Sequence, residues 1–218
     1  MKPPLHQPPT LKQERELRRQ GYRLIAGIDE AGRGPLAGPV VAAAVILSLG
    51  KLAPWLRHVR DSKQLTPKAR EALFHQIMSD AIATGVGVVS PSFIDTQGIM
   101  AATRLAMSQA IQALAPGPDF LLIDAVSLPA LDLPQRNIIY GDSLCLSIAA
   151  ASILAKVTRD RLMVMADELY PGYRFADHKG YATEAHLNCL RRLGPCLIHR
   201  TSFAPVREVL TRSYPPAR

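Results

Sequence analysis

Residues 24–34 read LIAGIDEAGRG and carry the most informative pattern in the chain. A short apolar run, residues 24–28, ends on Asp29 and is followed at once by a glycine-rich turn. An apolar run of this length between turn residues is typical of a buried strand. A carboxylate at the end of such a strand lies at the rim of the sheet, where ligands of α/β proteins bind. The pattern therefore predicts that Asp29 lies at a functional edge.

Two later apolar runs repeat this arrangement. FLLI at 120–123 stops at Asp124, and NIIY at 137–140 stops at Gly141 and Asp142. Further strands are expected at 39–47 and 85–89, and helices at 66–81, 92–114, 147–170, 183–193 and 205–210. The first three strands are close enough along the chain to pair antiparallel, and the later ones are separated by helices. The order predicts an α/β fold with a mixed sheet flanked by helices.

Length and composition agree with one compact domain. The chain has 218 residues, of which 48% are hydrophobic. Its longest apolar stretches, 40–47 and 148–155, fall far short of the ~20 residues that a membrane span needs. The three cysteines form no CxxC pair, and the N-terminus MKPPLHQPPT is too polar for a signal peptide. We therefore expect a soluble protein of the reducing cytoplasm that does not contact membranes.

The formal net charge of +8 is unevenly distributed. The basic excess is +3 in residues 1–20, zero in 21–187 and +5 in 188–218. Such ends are either solvated tails or segments that bind nucleic acid. The proline-rich first 20 residues end in LKQERELRRQ, which forms either a short amphipathic helix or a segment that orders on binding, and we exclude them from the core.

Several common catalytic motifs are absent from the sequence. Gly32, Gly34 and Gly38 have the spacing G-x-G-x-x-x-G, and strand-like residues follow them, so a dinucleotide-binding turn is rejected. The sequence contains no P-loop, no G-x-S-x-G elbow and no H-E-x-x-H. The carboxylates are therefore the main candidates for chemistry.

Four acidic residues could form one metal site: Asp29, Glu30, Asp124 and Asp142. Each alone could simply terminate a turn. Adjacent side chains on a regular strand point to opposite faces, so Asp29 and Glu30 share a site only if the chain turns at Glu30. If the four converge, their charges repel unless cations compensate them. Oxygen ligands select Mg²⁺ or Mn²⁺, and two such ions ~3.5–4 Å apart can clamp a phosphodiester for in-line cleavage.

The same residues belong to an ordered set of motifs that resembles ribonuclease HII, the bacterial type 2 ribonuclease H. The motifs are GIDEAGRGP at 27–35, DSK at 61–63, LID at 122–124, GDS at 141–143, IAAASILAKVTRD at 148–160 and HKGY at 178–181. Their order and spacing match the family from about residue 23 to 206. The resemblance implies a ribonuclease H-like fold with a mixed five-stranded sheet. It also leads us to expect a basic extension at 1–20, a catalytic core at 21–182 and a basic C-terminal helical segment at 183–218 packed on the core.

What the resemblance implies about activity is specific. Family members cut the phosphodiester 5′ to a ribonucleotide in an RNA–DNA hybrid, or at a single ribonucleotide within duplex DNA. The products carry a 3′-hydroxyl and a 5′-phosphate, and the cut removes ribonucleotides from DNA. By resemblance Asp29, Glu30, Asp124 and Asp142 hold two Mg²⁺ or Mn²⁺ ions, one activating water and the other stabilising the leaving oxygen.

The resemblance also implies substrate contacts. Gly32, Arg33 and Gly34 match the loop that contacts the 2′-hydroxyl, and Tyr181 matches a tyrosine that packs on the sugar at the junction. Without the resemblance these residues would be assigned to a tight turn and to core packing. Backbone or phosphate contacts are expected for Lys63, Lys156 and Arg159, although Lys156 could instead pair with Asp160. His199 and Arg200, in the basic tail, either contact phosphate or are solvated.

One departure and one alternative remain. Tyr140 occupies a position where many relatives have Lys, so one phosphate-facing charge is missing or is supplied by a neighbour. No protein partner is inferred, and a monomer is expected. The competing hypothesis is a non-catalytic nucleic-acid-binding module that uses only the basic ends, which would bind without cleaving and without divalent ions.

Overall fold

A five-stranded mixed sheet forms the centre of the molecule. The computed structural model describes residues 8–50 and 53–213. The strands are β1 Ile25–Ala31, β2 Val40–Ile46, β3 Ala83–Val89, β4 Phe120–Asp124 and β5 Gln135–Ile138. Their order across the sheet is β3-β2-β1-β4-β5, with β1, β2 and β3 antiparallel and with β4 parallel to both β1 and β5. The prediction of an α/β fold with a mixed five-stranded sheet is confirmed.

Helices cover both faces of this sheet. They are α1 Lys12–Arg19, α2 Pro67–Asp80, α3 Pro91–Gln97, α4 Ile99–Gln112, α5 Gly141–Leu144, α6 Leu146–Leu169, α7 Phe175–His178, α8 Glu184–Leu193 and α9 Ala204–Ser213. The start of α2 follows from its sequence: the Thr66 hydroxyl accepts a hydrogen bond from the Ala69 amide, and Pro67 occupies the first turn. Thr183 caps α8 in the same way, through the His186 amide.

Small side chains allow close packing on both faces. On one face Ala42 and Ala44 of β2 pack with Ala106 and Ala110 of α4. On the other face Ala43 and Val45 alternate toward α6, whose Ala149, Ala150, Ile153 and Leu154 lie in the same cluster. β2 is buried along its whole length, which explains why its sequence is uniformly apolar rather than alternating.

Two predicted elements and one predicted core position differ clearly from the structure. Gly98, with φ of 82°, divides the expected helix at 92–114 into α3 and α4. The strand expected at 137–140 lies two residues earlier, as β5, because Ile139 is exposed and Tyr140 has a left-handed backbone with φ of 59°. Val164, expected on the apolar face of α6, is also exposed.

Part of the N-terminal segment packs against the core, contrary to our prediction. We expected residues 1–20 to lie outside the core, but Leu17 is fully buried in a cluster with Phe120, Leu122 and Ile148. The amphipathic-helix alternative is the one observed, as α1. Residues 1–7 lie outside the described part of the chain, as do residues 214–218 at the end of the C-terminal segment. No helix among the described residues is long and apolar enough to cross a membrane.

Candidate active site

The parallel pairing of β1 and β4 brings two predicted carboxylates together. Ile28 pairs with Ile123, so Asp29 and Asp124, the next residue of each strand, lie side by side at the carboxyl edge of the sheet. Asp29 is buried and Asp124 is half-buried. The edge predicted from the apolar runs is thus the edge that holds these two side chains.

Glu30 joins them without the turn that the sequence argument required. β1 continues through Glu30 to Ala31, and its pairing with β2 is unbroken to that point. The Asp29 carboxylate accepts a hydrogen bond from the amide of the next residue, Glu30, with 2.7 Å between Oδ1 and N. Both side chains line one cavity of about 200 Å³. Our expectation of a chain reversal at Glu30 is wrong, and the turn begins at Gly32.

Asp142 reaches the site from a different kind of element. It lies in the short helix α5 rather than at the end of a strand, and it is buried. The Gly141 amide donates to Asp124 Oδ1 at 2.7 Å, which ties α5 to the end of β4. The Lys63 ammonium lies 3.7 Å from Asp142 Oδ2.

The carboxylates destabilise one another as anions. Burial raises the pKa of Asp29 well above its usual value, and the neighbouring Glu30 and Asp124 raise it further. Burial also raises the pKa of Asp124, against a hydrogen bond from the Gly141 amide that lowers it. For Asp142, burial comes first, followed by the charges of Asp61 and Asp124, and its pKa is also raised.

The pKa shifts of Glu30 and Lys63 also reflect the negative charge of the site. Burial raises the pKa of Glu30 although the Arg33 guanidinium, 3.2 Å away, lowers it. Burial lowers the pKa of Lys63, but the carboxylates of Asp61 and Asp142 outweigh this effect and raise it overall. The site therefore favours added positive charge.

The donor set suits a hard divalent cation. Four carboxylates meet at one edge, and Glu30 Oε2 is buried without a hydrogen-bond partner among the described residues. Within residues 8–50 and 53–213 no three acidic, His or Cys side chains already stand in a metal-binding arrangement. Each carboxylate is instead turned toward a protein donor, namely the amides of Glu30 and Gly141, Arg33 or Lys63. Oxygen ligands of this charge fit Mg²⁺ or Mn²⁺ better than softer metals.

Gly32 and Arg33 of the glycine loop line the same cavity, and two buried arginines pack against the loop. Gly32 has φ of 95°, and a Cβ there would lie 2.1 Å from Nε of Arg159. Arg200 donates to the carbonyl oxygens of Gly32, at 2.6 Å, and Arg33, at 2.9 Å. The glycine at position 32 is thus required by backbone conformation and by the arginine behind it. Gly34 has open space around its Cβ position.

Arg159 corrects a substrate-contact prediction. Its side chain is fully buried and donates to the carbonyl oxygens of Pro39, Ala37 and Lys179, each at 3.0 Å. It therefore links residues 37–39, which follow the glycine loop, to the turn that carries Tyr181, and its complete burial keeps it from contacting a phosphate. The assignment failed because the helix pattern placed Arg159 on the less apolar face of α6, where solvent was expected.

Arg200 and His199 were also misjudged, since both are buried rather than solvated or bound to phosphate. His199 Nε2 lies 3.1 Å from His186 Nε2, and His186 Nδ1 lies 2.9 Å from the Tyr181 carbonyl oxygen. Burial lowers the pKa of His199 to about 4. Arg200 looks like part of a basic tail because its partners are backbone carbonyls more than 160 residues away, and His199 does so because its contact with the His186 ring forms only on folding.

The remaining predicted contacts all line the cavity, and Tyr181 and Lys63 are also exposed to solvent. The Tyr181 ring is partly exposed beside the cavity, with Lys156 Nζ 5.6 Å and the Arg159 guanidinium 5.7 Å from its centre. Lys156 also pairs with Asp160 at 2.6 Å, the alternative that its spacing had left open. The Lys63 side chain is 79% exposed, so it remains free to meet a ligand.

A solved structure shares this fold. The ribonuclease H2 of Pyrococcus horikoshii superposes with a TM-score of 0.73 at 26% identity, covering 87% of this chain and 98% of that one. The fold, the carboxylate edge and this similarity define an enzyme of the ribonuclease H class.

Sequence comparison identifies the family within this class. The family model for ribonuclease HII matches residues 26–206. Ribonuclease HII of Dehalococcoides mccartyi is 53% identical over 202 residues, which cover 93% of this chain and 95% of that protein. Ribonuclease HII of Geobacillus kaustophilus is 56% identical over 203 residues, or 93% of this chain and 76% of its own length. The chain belongs to the ribonuclease HII family, as its motifs had indicated.

Proposed function

We propose that this enzyme hydrolyses the phosphodiester 5′ to a ribonucleotide, in RNA–DNA hybrids and at single ribonucleotides embedded in duplex DNA. The products are a 3′-hydroxyl and a 5′-phosphate, and the role is the removal of ribonucleotides from DNA. The observation that carries the proposal is the convergence of Asp29, Glu30 and Asp124 in one cavity with Gly32 and Tyr181. A cutting site and a candidate sugar-recognition site thus share one space.

The four carboxylates are assigned to metal binding. Asp29, Glu30, Asp124 and Asp142 would hold Mg²⁺ or Mn²⁺, exchanging their present protein donors for the cation. Two bound ions would supply Lewis acidity at the attacking water and at the leaving 3′ oxygen. Lys63 balances part of the negative charge near Asp142. When cations take over that role, its ammonium group would be free to contact the phosphodiester backbone of the substrate.

Recognition of the ribonucleotide is assigned to the glycine loop and Tyr181, which lie beside the acids. The 2′-hydroxyl is the group that distinguishes RNA from DNA at a given sugar. The loop at 32–34 can approach it closely because Gly34 has no side chain and no neighbour within 4 Å of its Cβ position. The partly exposed Tyr181 ring offers a flat apolar surface to the adjoining sugar. We propose that phosphates are contacted by Arg33, Lys63 and Lys156, which makes affinity sensitive to salt.

The experiment that tests this function separates cleavage from binding. Wild-type protein should nick a duplex containing one ribonucleotide when Mg²⁺ or Mn²⁺ is present and not when it is chelated. The Asp124→Asn variant should bind the duplex and cleave it about a thousandfold more slowly, equivalent to ~4 kcal/mol of transition-state stabilisation. Near-normal cleavage by Asp124→Asn would refute the metal assignment. Binding by wild-type protein with no metal-dependent nicking would instead favour the non-catalytic module.

A further inference from the structure

The N-terminal helix contacts the segment that carries the fourth carboxylate. Glu14 of α1 is 1% exposed, although it lies in a strongly charged stretch. Its Oε1 accepts a hydrogen bond from the Ser147 amide at 2.9 Å and one from the Cys145 thiol at 3.1 Å. Asp142 lies only three residues before Cys145, in the helix that leads directly into α6.

Glu14 supplies a cap that α6 lacks from its own sequence. Cys145 occupies the N-cap position and makes no side-chain capping bond, so the first amides of α6 need an acceptor from elsewhere. A carboxylate is favoured there because the positive end of the helix dipole faces it. Burial raises the pKa of the Cys145 thiol well above its usual value, and the charge of Glu14 adds to the effect. The thiol therefore stays protonated and remains a donor.

A second contact fixes the same connection. The Thr10 amide donates to the Leu144 carbonyl oxygen at 3.1 Å, and the Leu146 amide donates back to the Thr10 carbonyl oxygen at 3.1 Å. Three residues after Glu14, on the same side of α1, Leu17 is buried against Cys145 and Ile148. The N-terminal segment thus grips residues 144–148 through backbone, side-chain and apolar contacts.

On its other side the α5 segment is held by the catalytic edge itself, through the bond from the Gly141 amide to Asp124. Asp142 therefore lies between two fixed points, Asp124 before it and the Glu14 cap after it. A buried carboxylate is costly, and Glu14 Oε2 has no hydrogen-bond partner among the described residues. A neutral amide could accept the Ser147 bond at a lower desolvation cost.

We propose that Glu14 is a positioning residue that orients Asp142 for metal binding by capping α6 and fixing the turn at 141–147. This proposal rests on the proposed function insofar as Asp142 is taken as a metal ligand. Replacing a residue that orients a metal ligand without contacting the metal typically weakens metal affinity by about 10- to 100-fold. We expect Glu14→Ala to fall at the lower end, because Asp142 has no direct contact with Glu14.

The test measures Mn²⁺ binding to the full-length protein without nucleic acid, by calorimetric titration, alongside hydrogen exchange of the amides at 141–147. Glu14→Ala should bind Mn²⁺ about tenfold more weakly and exchange faster in this segment, while exchange in β1 stays unchanged. Glu14→Gln, which keeps the acceptor oxygen, should restore most of the affinity. In cleavage assays Glu14→Ala should shift the Mn²⁺ midpoint and leave KM for the duplex unchanged. Glu16→Ala is the matched control, because Glu16 is on the same helix but faces Arg136 at the surface.

Each other outcome has a defined meaning. If Glu14→Ala binds Mn²⁺ like wild type and only melts earlier, Glu14 is structural and the proposal is wrong. If Glu14→Ala does not fold, Glu14→Asp decides, since its shorter side chain withdraws from Ser147; an unchanged Mn²⁺ affinity would again overturn the proposal. If wild-type protein neither binds Mn²⁺ nor cleaves, the proposed function fails. The exchange experiment still stands in that case, and unchanged exchange at 141–147 would reject the positioning role separately.

Discussion

Gly32 and Arg159 depend on each other at the wall of the cavity. The Arg159 side chain fills the space that a Cβ on Gly32 would need, and it donates to the carbonyls of Pro39, just after the loop, and of Lys179. A fully buried cation is tolerated here because all of its hydrogen bonds end on carbonyl oxygens. The backbone at Gly32 is therefore held in place by its neighbours and is not a freely flexible glycine-rich segment.

This pairing predicts different effects at two glycines of one loop. Gly32→Ala should lower the free energy of unfolding by about 1–3 kcal/mol, because it forces a positive φ on a side chain and displaces Arg159. Gly34→Ala should keep wild-type stability to within about 0.5 kcal/mol, since nothing lies near its Cβ position. It should still slow cleavage, because its methyl group enters the space proposed for the sugar. Denaturant unfolding and cleavage rates on the same preparations check both; equal stability loss in the two variants would contradict this explanation.

Tyr181 should act on the substrate and not on folding. Its ring is partly exposed, so Tyr181→Ala is expected to unfold near the wild-type midpoint. Cleavage at a single embedded ribonucleotide should fall by at least about tenfold, the loss of ~1.4 kcal/mol of stacking on the sugar. Tyr181→Phe, which keeps the ring, is the matched control and should lose much less. A uniform loss on all substrates with a lower melting temperature would indicate a folding defect instead.

Among the elements, the contact between β1 and α6 sets the geometry of the acidic edge. A Cβ on Gly27 would lie 2.2 Å from the Ser147 carbonyl carbon, so the first turn of α6 rests directly on the backbone of β1. Gly27 precedes Asp29 by two residues, and Ser147 follows Asp142 by five. This close approach fixes the distance between the strand acids and the α5 acid.

Gly27→Ala is therefore expected to be among the most damaging single changes. The added methyl group must push α6 away from β1, and overpacking of this kind costs about 1–3 kcal/mol or more. Cleavage should fall along with stability, because Asp142 moves relative to Asp29. Gly117→Ala, in open space before β4, is the control and should change neither quantity. Thermal unfolding with parallel cleavage assays measures both, and a Gly27→Ala variant of normal stability would show that the packing is looser than described.

The elements also show how far sequence reasoning extends. Apolar runs ending in acids predicted β1, β4 and the carboxylate edge, because side-chain burial at strand ends is a local pattern. The start of α2 was equally local, since Thr66 and Pro67 specify it. By contrast, the shift of β5 depends on the left-handed backbone conformation of Tyr140. A tyrosine in the sequence does not predict that conformation.

The same limit applies within the site. The placement of the acids and Tyr181 was predictable because short motifs carry them, whereas most hydrogen-bond partners of Arg159, Arg200 and Glu14 lie more than 100 residues away in sequence. Their contacts exist only once the sheet has assembled. Burial of a charged side chain by distant backbone groups leaves no periodic trace in the chain.

At the scale of the whole molecule, one cluster of like charges destabilises the fold. The chain carries +8 overall, yet four mutually repelling carboxylates meet at the sheet edge. Two divalent ions would cancel those four negative charges. The repulsion should therefore lower the free energy of unfolding near neutral pH when no metal is present. A bound cation should raise it again by mass action.

This balance predicts a pH dependence with a definite sign. Because the pKa of Asp29 is raised on folding, the folded protein binds that proton more tightly than the unfolded chain. Stability from this group is fully present below its ordinary pKa of about 4 and is lost as pH rises through the raised value. In chelator at pH 7, Asp29→Asn should thus be more stable than wild type, by about 1 kcal/mol or more, and the difference should vanish near pH 4.

Asp132→Asn is the control for this comparison, since Asp132 is exposed in the loop that precedes β5. Its unfolding midpoint should match that of wild type at both pH values. Adding Mn²⁺ at pH 7 should stabilise wild type much more than Asp29→Asn. Chemical denaturation at the two pH values gives the result directly; an Asp29→Asn variant less stable than wild type at pH 7 would mean that the acids do not repel as described.

The central claim is that one cavity both recognises a ribonucleotide and cuts beside it. The most direct measurement maps, at single-nucleotide resolution, the products from two duplexes that differ only in the 2′-hydroxyl of one residue, with Mn²⁺ present. We expect one nick on the 5′ side of the ribonucleotide, leaving a 3′-hydroxyl and a 5′-phosphate, and no nick in the all-DNA duplex. Cleavage of both duplexes, or a cut on the 3′ side of the ribonucleotide, would contradict the claim.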